Sequence, residues 1–288
     1  MYIIKASGKK AKFNPGKIKK TCLRAGANKD LTDYIVGEVS RRVYDGMETR
    51  ELLRLILRLL KQKDPIVAVR YNLKKAMLDL GPTGFIFEEF ILRLLKIYNY
   101  QAWFPPLITG ACVKHEVDII AKSRLKEKNL LTKYDSGQGN IYMIECKYHN
   151  RPGLRSGLKD VLYVWARFLD LCDAWRQGIG QKFNHPWLIS NTKFSESAIQ
   201  YARCKKIRLL GWQYPEGEGL ERLIEEKKIY PVTILRSLDW ETKEKLFSKK
   251  MVLCQDLISV REEVLRKRLM IKDKTLISLI NEVRSIIE

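Results

Sequence analysis

Histidine is scarce in this 288-residue chain: His115, His149 and His185 are the only three. A metal centre built mainly from imidazole is therefore not expected. The six cysteines, at 22, 112, 146, 172, 204 and 254, form no C-x-x-C pair. That argues against a zinc ribbon or a disulfide framework and for free thiols in a reducing, cytoplasmic setting. No secretory segment is read at the start, and no run of about 18 apolar residues occurs, so no membrane span is expected. The pattern G-x-x-x-x-G-K-[ST] is missing, which excludes a P-loop ATPase at the motif level. Acidic residues are outnumbered: 33 Asp+Glu face 54 Lys+Arg, a formal charge of +21. Such an excess points to a polyanionic partner, with nucleic acid first, then nucleotides, then an acidic membrane surface.

What is present supports folded cores, with 45% apolar and 30% charged residues. The length suits two domains and a small third element. The Gly81-Pro82 break and the end of the last α/β alternation divide the chain into 1–82, 83–235 and 236–288. Nineteen basic and eight acidic residues lie in 1–82, and the cluster Lys5, Lys9, Lys10, Lys12, Lys17, Lys19 and Lys20 meets no acid before Asp30. Residues 2–5 and 10–13 read as two short strands around Ser7-Gly8-Lys9, a hairpin turn with a glycine free to take positive φ. About four helices follow. Asn14-Pro15 and Asp64-Pro65 each pair a cap with a proline at the first helical position. Leu52, Leu53, Ile56, Leu59 and Leu60 repeat at helical spacing. Backbone amides at a basic glycine turn suit phosphate groups.

This segment resembles the ATP-cone, a module that regulates ribonucleotide reductases and their transcriptional repressor by binding ATP or dATP. The likeness rests on Ile3-Ile4-Lys5 through Gly8-Lys9-Lys10, on Phe13-Asn14 before Lys17-Ile18, and on Ala68-Val69-Arg70-Tyr71. The resemblance implies ATP or dATP as a regulatory ligand, with Lys5, Lys9, Lys10, Lys12, Lys17 and Arg70 as its contacts. The turn Lys5-Ala6-Ser7-Gly8 departs from the basic-basic-acidic-Gly turn of the family.

In 83–235 the expected order is helix, three strands, helix, strand, helix, strand, helix, an α/β layered domain with a mixed sheet. The helix from Phe85 to Tyr98 carries Glu88 and Glu89 beside its apolar stripe. Glu116 to Ala121 reads as a half-buried strand bearing acids, and Ile141 to Tyr148 as a strong strand. On a strand Glu145 and Lys147 share a face. With Asp118 alongside, two carboxylates would hold a hard divalent cation, Mg²⁺ or Mn²⁺. E-x-K occurs four times, yet only Glu145/Lys147 follows a β-run with an Asp-bearing segment upstream. His115 and His149 flank these strands as candidates for touching substrate. Lys122, Arg124, Lys126, Lys128 and Lys133 would make the 122–139 insertion a DNA-facing loop. Arg151, Arg155, Lys159 and Arg167 would meet backbone phosphates or form a solvated face.

Gly84-Phe85-Ile86-Phe87-Glu88-Glu89-Phe90, His115-Glu116-Val117-Asp118-Ile119-Ile120 and Ile144-Glu145-Cys146-Lys147-Tyr148 together resemble the PD-(D/E)XK nucleases, specifically Mrr-like restriction endonucleases. The resemblance implies a restriction-endonuclease-like mixed-sheet core, with Asp118, Glu145 and Glu88 as metal ligands and Lys147 as the catalytic lysine. Glu145-Cys146-Lys147 stands where Mrr proteins often have Gln-x-Lys. In 236–288, helices are expected from Asp239 or Thr242, over about 255–268 and over 273–287, as a helical cap or a dimerisation element. The reading is a metal-dependent DNA endonuclease regulated by ATP or dATP, with DNA as partner and a homo-oligomer possible. The alternatives are a nucleotide-responsive DNA-binding protein without cleavage and a junction- or flap-specific nuclease.

Overall fold

The structure is a computed structural model, and it describes residues 1–5, 8–123, 131 and 139–287. Two compact units account for the chain: Met1–Leu80 with Arg151–Gly153 and Lys228–Glu288, and Gly81–Asn150 with Leu154–Lys227.

In the first unit, strands Tyr2–Ile4 and Lys10–Lys12 pair antiparallel. Gly8, at φ 77°, donates its amide to Lys5 O at 2.9 Å, as the turn requires. A strand too short to register in the sequence, Met47–Glu48, adds parallel to Tyr2–Ile4. Helices Pro15–Arg24, Lys29–Arg42, Thr49–Lys63, Pro65–Tyr71 and Leu73–Leu78 follow one another. Pro15 stands at the start of its helix as expected, but Asn14 makes no side-chain cap bond. Asp64 does cap, accepting from the amides of Ile66 and Val67 at 3.0 Å each. The expected helical stripe is buried at Leu52, Ile56, Leu59 and Leu60, packed with Ile18, Cys22, Ile35, Val39 and Val67.

The C-terminal helices Trp240–Ser248, Cys254–Ile258, Glu262–Leu269 and Asp273–Ile287 belong to this same unit. The last buries Leu276, Leu279, Ile280, Val283 and Ile286, a stripe that needs an apolar partner. Thr233 Oγ1 donates to Ala76 O at 2.7 Å, and Arg70 Nε to Ile286 O at 3.0 Å. The single helix expected over 255–268 is interrupted at Ser259–Arg261.

In the second unit the main elements are α1 (Phe85–Ile97), β1 (Tyr100–Trp103), β2 (Ile119–Ser123), β3 (Ile141–Lys147), α2 (Leu158–Arg176), β4 (His185–Ser190), α3 (Glu196–Lys205), β5 (Arg208–Leu210) and α4 (Leu220–Glu226). This is the order read from the sequence. The sheet runs β5-β4-β3-β2-β1. The β1–β2 and β2–β3 pairs are antiparallel, and β3–β4 and β4–β5 are parallel, so the sheet is mixed. Met143, Leu188 and Leu209 pack with Val161, Val164, Phe168 and Ala198 from α2 and α3. Tyr142, Ile144, Trp187 and Ile189, on the opposite face, are buried too. A sheet covered on both faces reads as nearly continuous apolar strands, which is how β3 and β4 read.

Candidate functional site

Strand β3 carries Glu145 and Lys147 on the face that also bears buried Met143. The register Ile119↔Ile144 between β2 and β3 sets Asp118 across from Glu145. Asp118 lies just before β2 rather than within the expected strand, because pairing begins only at Ile119. Its Oδ2 accepts the amide of Cys146 at 2.7 Å, which fixes the carboxylate against the strand. Glu88 enters from the first turn of α1.

These carboxylates disturb one another. Burial, with the negative charges of Asp118 and Glu116, pushes Glu88 up to about 7. Burial and the charges of Asp118 and Glu88 likewise push Glu145 up to about 7 against the opposing pull of Arg167 and Lys147. Burial raises Asp118 as well, though the Cys146 amide and Arg167 hold it down. Mutually repelling, partly buried acids of this kind mark a candidate site.

Helix α2 supplies the counter-charges. Arg167, buried, forms an ion pair with Glu145, and its guanidinium lies 4.5 Å from the centre of the Tyr163 ring. Arg167 is thus withdrawn from solvent and holds Glu145 instead of facing phosphates. Lys147, 46% exposed, has its ammonium 3.5 Å from Asp160, whose other oxygen accepts the Gly157 amide at 2.8 Å and starts α2. Sequence reasoning missed Asp160 as a partner of Lys147 and Arg167 as one of Glu145. The available signal was a charge at 167 inside the buried stripe Val161, Val164, Phe168, Leu171, seven residues beyond Asp160.

The donor set Asp118, Glu145 and Glu88 is hard oxygen, the chemistry a divalent cation prefers. Among the described residues, however, no three His, Cys, Asp or Glu side chains converge as a ready metal site, and Arg167 engages Glu145. Glu89 is buried and Glu116 exposed. His115 and His149 are both held internally: His115 Nε2 lies 2.7 Å from Asp170 Oδ2, and His149 Nε2 lies 3.2 Å from Ser156 Oγ. Ser156 donates to Ser190 Oγ at 2.8 Å and Ser190 meets Thr192 Oγ1 at 3.1 Å, a buried hydroxyl chain that the sequence did not announce. Ser190 pairs with Lys147 across β3 and β4, so this chain borders the lysine. Lys122 is exposed, while Arg124, Lys126, Lys128 and Lys133 lie outside the described residues.

In the first unit Lys5, Lys9, Lys10, Lys12 and Lys17 are all exposed around the hairpin. Arg70 is placed otherwise: its guanidinium donates to the Ile286 carbonyl. A pocket of about 480 Å³, lined by Arg42, Tyr44, Met47, Glu51, Arg54, Leu55 and Arg58, adds three arginines that the sequence reading did not single out.

Hairpin, basic surface and helical bundle of the first unit define an ATP-cone-bearing protein: the ATP cone domain family matches residues 1–74. That domain implies an adenine-nucleotide ligand and regulation by it. The family described as AF1548-like, C-terminal, matches residues 230–287. An Archaeoglobus fulgidus protein named only as uncharacterized is 41% identical over 175 residues, 61% of this chain and 87% of that protein. A crystal structure described as the protein of unknown function AF1548 shares 37% identity with a TM-score of 0.56, covering 71% of this chain and 98% of that one. The chain belongs to the AF1548-like family. Among the described residues no helix is long and apolar enough to cross a membrane.

Proposed function

We propose that the second unit is a divalent-metal-dependent DNA endonuclease, Mg²⁺ or Mn²⁺ serving, and that ATP or dATP bound to the ATP-cone regulates it. The observation that carries this reading is the pairing of Asp118 and Glu145 across β2 and β3 with Lys147 on the same strand face. The element order and mixed sheet also agree with the restriction-endonuclease-like core implied by the motifs.

Asp118 and Glu145, with Glu88 assisting, would hold the cation, which supplies an acidified water and neutralises charge on a phosphoryl oxygen. Arg167 forms an ion pair with Glu145, which a bound cation would have to displace. Lys147, half exposed and tethered by Asp160, has the reach to neutralise charge that develops on the scissile phosphate. Asp160 is a positioning residue that sets where the ammonium rests. The fixed Asp118 carboxylate needs no reorganisation, because the Cys146 amide already orients it.

The test is cleavage of supercoiled plasmid, flap and four-way-junction DNA in Mg²⁺, with and without dATP. Cleavage that dATP modulates supports the reading. Retarded migration without cleavage in any metal would turn it into a nucleotide-responsive DNA-binding protein.

A further inference from the structure

A second cavity in the same unit lies away from the acids. Parallel strands β3, β4 and β5 contribute Tyr142, Trp187 and Arg208 from their amino-terminal halves, whereas Glu145 and Lys147 sit at the carboxyl end of β3. The cavity measures about 390 Å³ and is lined by these three residues with His185, Arg203, Lys206, Tyr214 and, at its rim, the carboxylate of Glu218, over an apolar base. That volume falls within the roughly 300–1,000 Å³ typical of small-molecule sites.

Its two walls differ in chemistry. One is basic. Arg203 ends α3 exposed, and Lys206 follows it in the left-handed region at φ 56°, a conformation that a lysine seldom takes. Neither side chain forms an ion pair among the described residues. Arg208 completes this wall. Its guanidinium lies 3.9 Å from the centre of the Trp187 ring, and it donates to Tyr100 Oη at 3.2 Å and to the Leu131 carbonyl. The π face and the two acceptors hold the cation in place without cancelling its charge.

The other wall is aromatic, built by the half-buried rings of Tyr214 and His185, the latter stacked on buried Tyr142 at 5.7 Å. Trp187 adds a polar handle. It is fully buried, and its Nε1–H finds no acceptor among the described residues. A buried donor without a partner is costly and calls for one.

We infer that this cavity binds a nucleoside monophosphate. The phosphate would meet Arg203, Lys206 and Arg208, the base would lie against Tyr214 and His185, and Trp187 Nε1–H would donate to a polar atom of the base or sugar. The site is independent of the proposed cleavage and stands if the nuclease reading fails.

Calorimetric titration of the full chain with AMP, inorganic phosphate and adenosine tests it. AMP saturates one site beyond those of the ATP-cone, and phosphate and adenosine each bind about tenfold or more weakly. The doubly substituted Arg203→Ala/Lys206→Ala protein loses about tenfold or more in AMP affinity with an unchanged circular dichroism spectrum, and Trp187→Phe loses about threefold or more. Lys9→Ala/Lys10→Ala leaves this binding as it is. The inference is overturned if AMP does not bind, if phosphate alone matches AMP, or if only the Lys9/Lys10 substitutions abolish binding.

Discussion

Asp170 shows how much one carboxylate can organise. It accepts the amide of Cys112 at 2.8 Å, lies 2.7 Å from His115 Nε2, and also takes the Cys112 thiol and the Val113 amide. Burial by itself would raise this acid, but the hydrogen bonds outweigh it and hold it down at about 2. A carboxyl depressed in the folded state contributes stability that is full above its unfolded value of about 4 and fades as pH falls toward 2. Wild type should therefore lose stability between pH 4 and pH 2, and Asp170→Asn should lack that step in thermal unfolding followed across the range. Beside it, Gly110 leaves no room for a methyl group: a Cβ would overlap Asp170 and lie 2.6 Å from Val113 O. Gly110→Ala should cost roughly 1–3 kcal/mol in urea unfolding. Glu145 works in the opposite sense. Its value near 7 exceeds the ordinary 4.5, so the native state binds the extra proton and stability falls as pH rises from about 4.5 to 7. Arg167→Met removes the guanidinium paired with it and should destabilise by about 3–5 kcal/mol at pH 8 and distinctly less at pH 5, where Glu145 is protonated. Equal losses at both pH values would mean that packing, not charge, explains Arg167.

Among the elements, legibility followed length and amphipathic contrast. The helix Thr49–Lys63 and strand β3 announce themselves because their apolar residues repeat at one clear period. The two-residue strand Met47–Glu48 carries no period at all, and only tertiary pairing with Tyr2–Ile4 makes it a strand. The strand that begins at Tyr100 ends at Trp103, short of Pro105-Pro106, residues that cannot donate to a ladder. The acid cluster was readable because E-x-K stands on a β-run. Its counter-ions were not, since Asp160 and Arg167 meet β3 only through the crossover of α2. The nucleotide contacts expected from the ATP-cone likeness fare unevenly. The five lysines are exposed, whereas Arg70 is drawn to the Ile286 carbonyl by a helix 216 residues away in sequence, which local pattern cannot foresee. Asp64 illustrates a feature that local pattern does foresee: with two amides capped, Asp64→Ala should cost about 1 kcal/mol in chemical denaturation.

At the scale of the whole molecule, the chain joins its ends within one unit: the ATP-cone residues and the AF1548-like C-terminal residues fold together. The C-terminal segment, expected as a separate module, buries its apolar stripe there. Removing residues 271–288 should therefore lower the thermal midpoint of the ATP-cone and expose apolar surface that binds a hydrophobic dye; an unchanged midpoint would contradict this shared packing. The +21 charge belongs to this scale as well. It fits both nucleotide and DNA, and only the residues Asp118, Glu145 and Lys147 separate a cleaving protein from a binding one. The most direct measurement is the rate of plasmid nicking in Mg²⁺ by wild type, Asp118→Ala and Lys147→Ala at equal concentration. The account predicts cleavage by wild type and a loss of about a hundredfold or more in both variants, with folding intact by circular dichroism. Cleavage by the variants at the wild-type rate, or none by wild type in either Mg²⁺ or Mn²⁺, would contradict it.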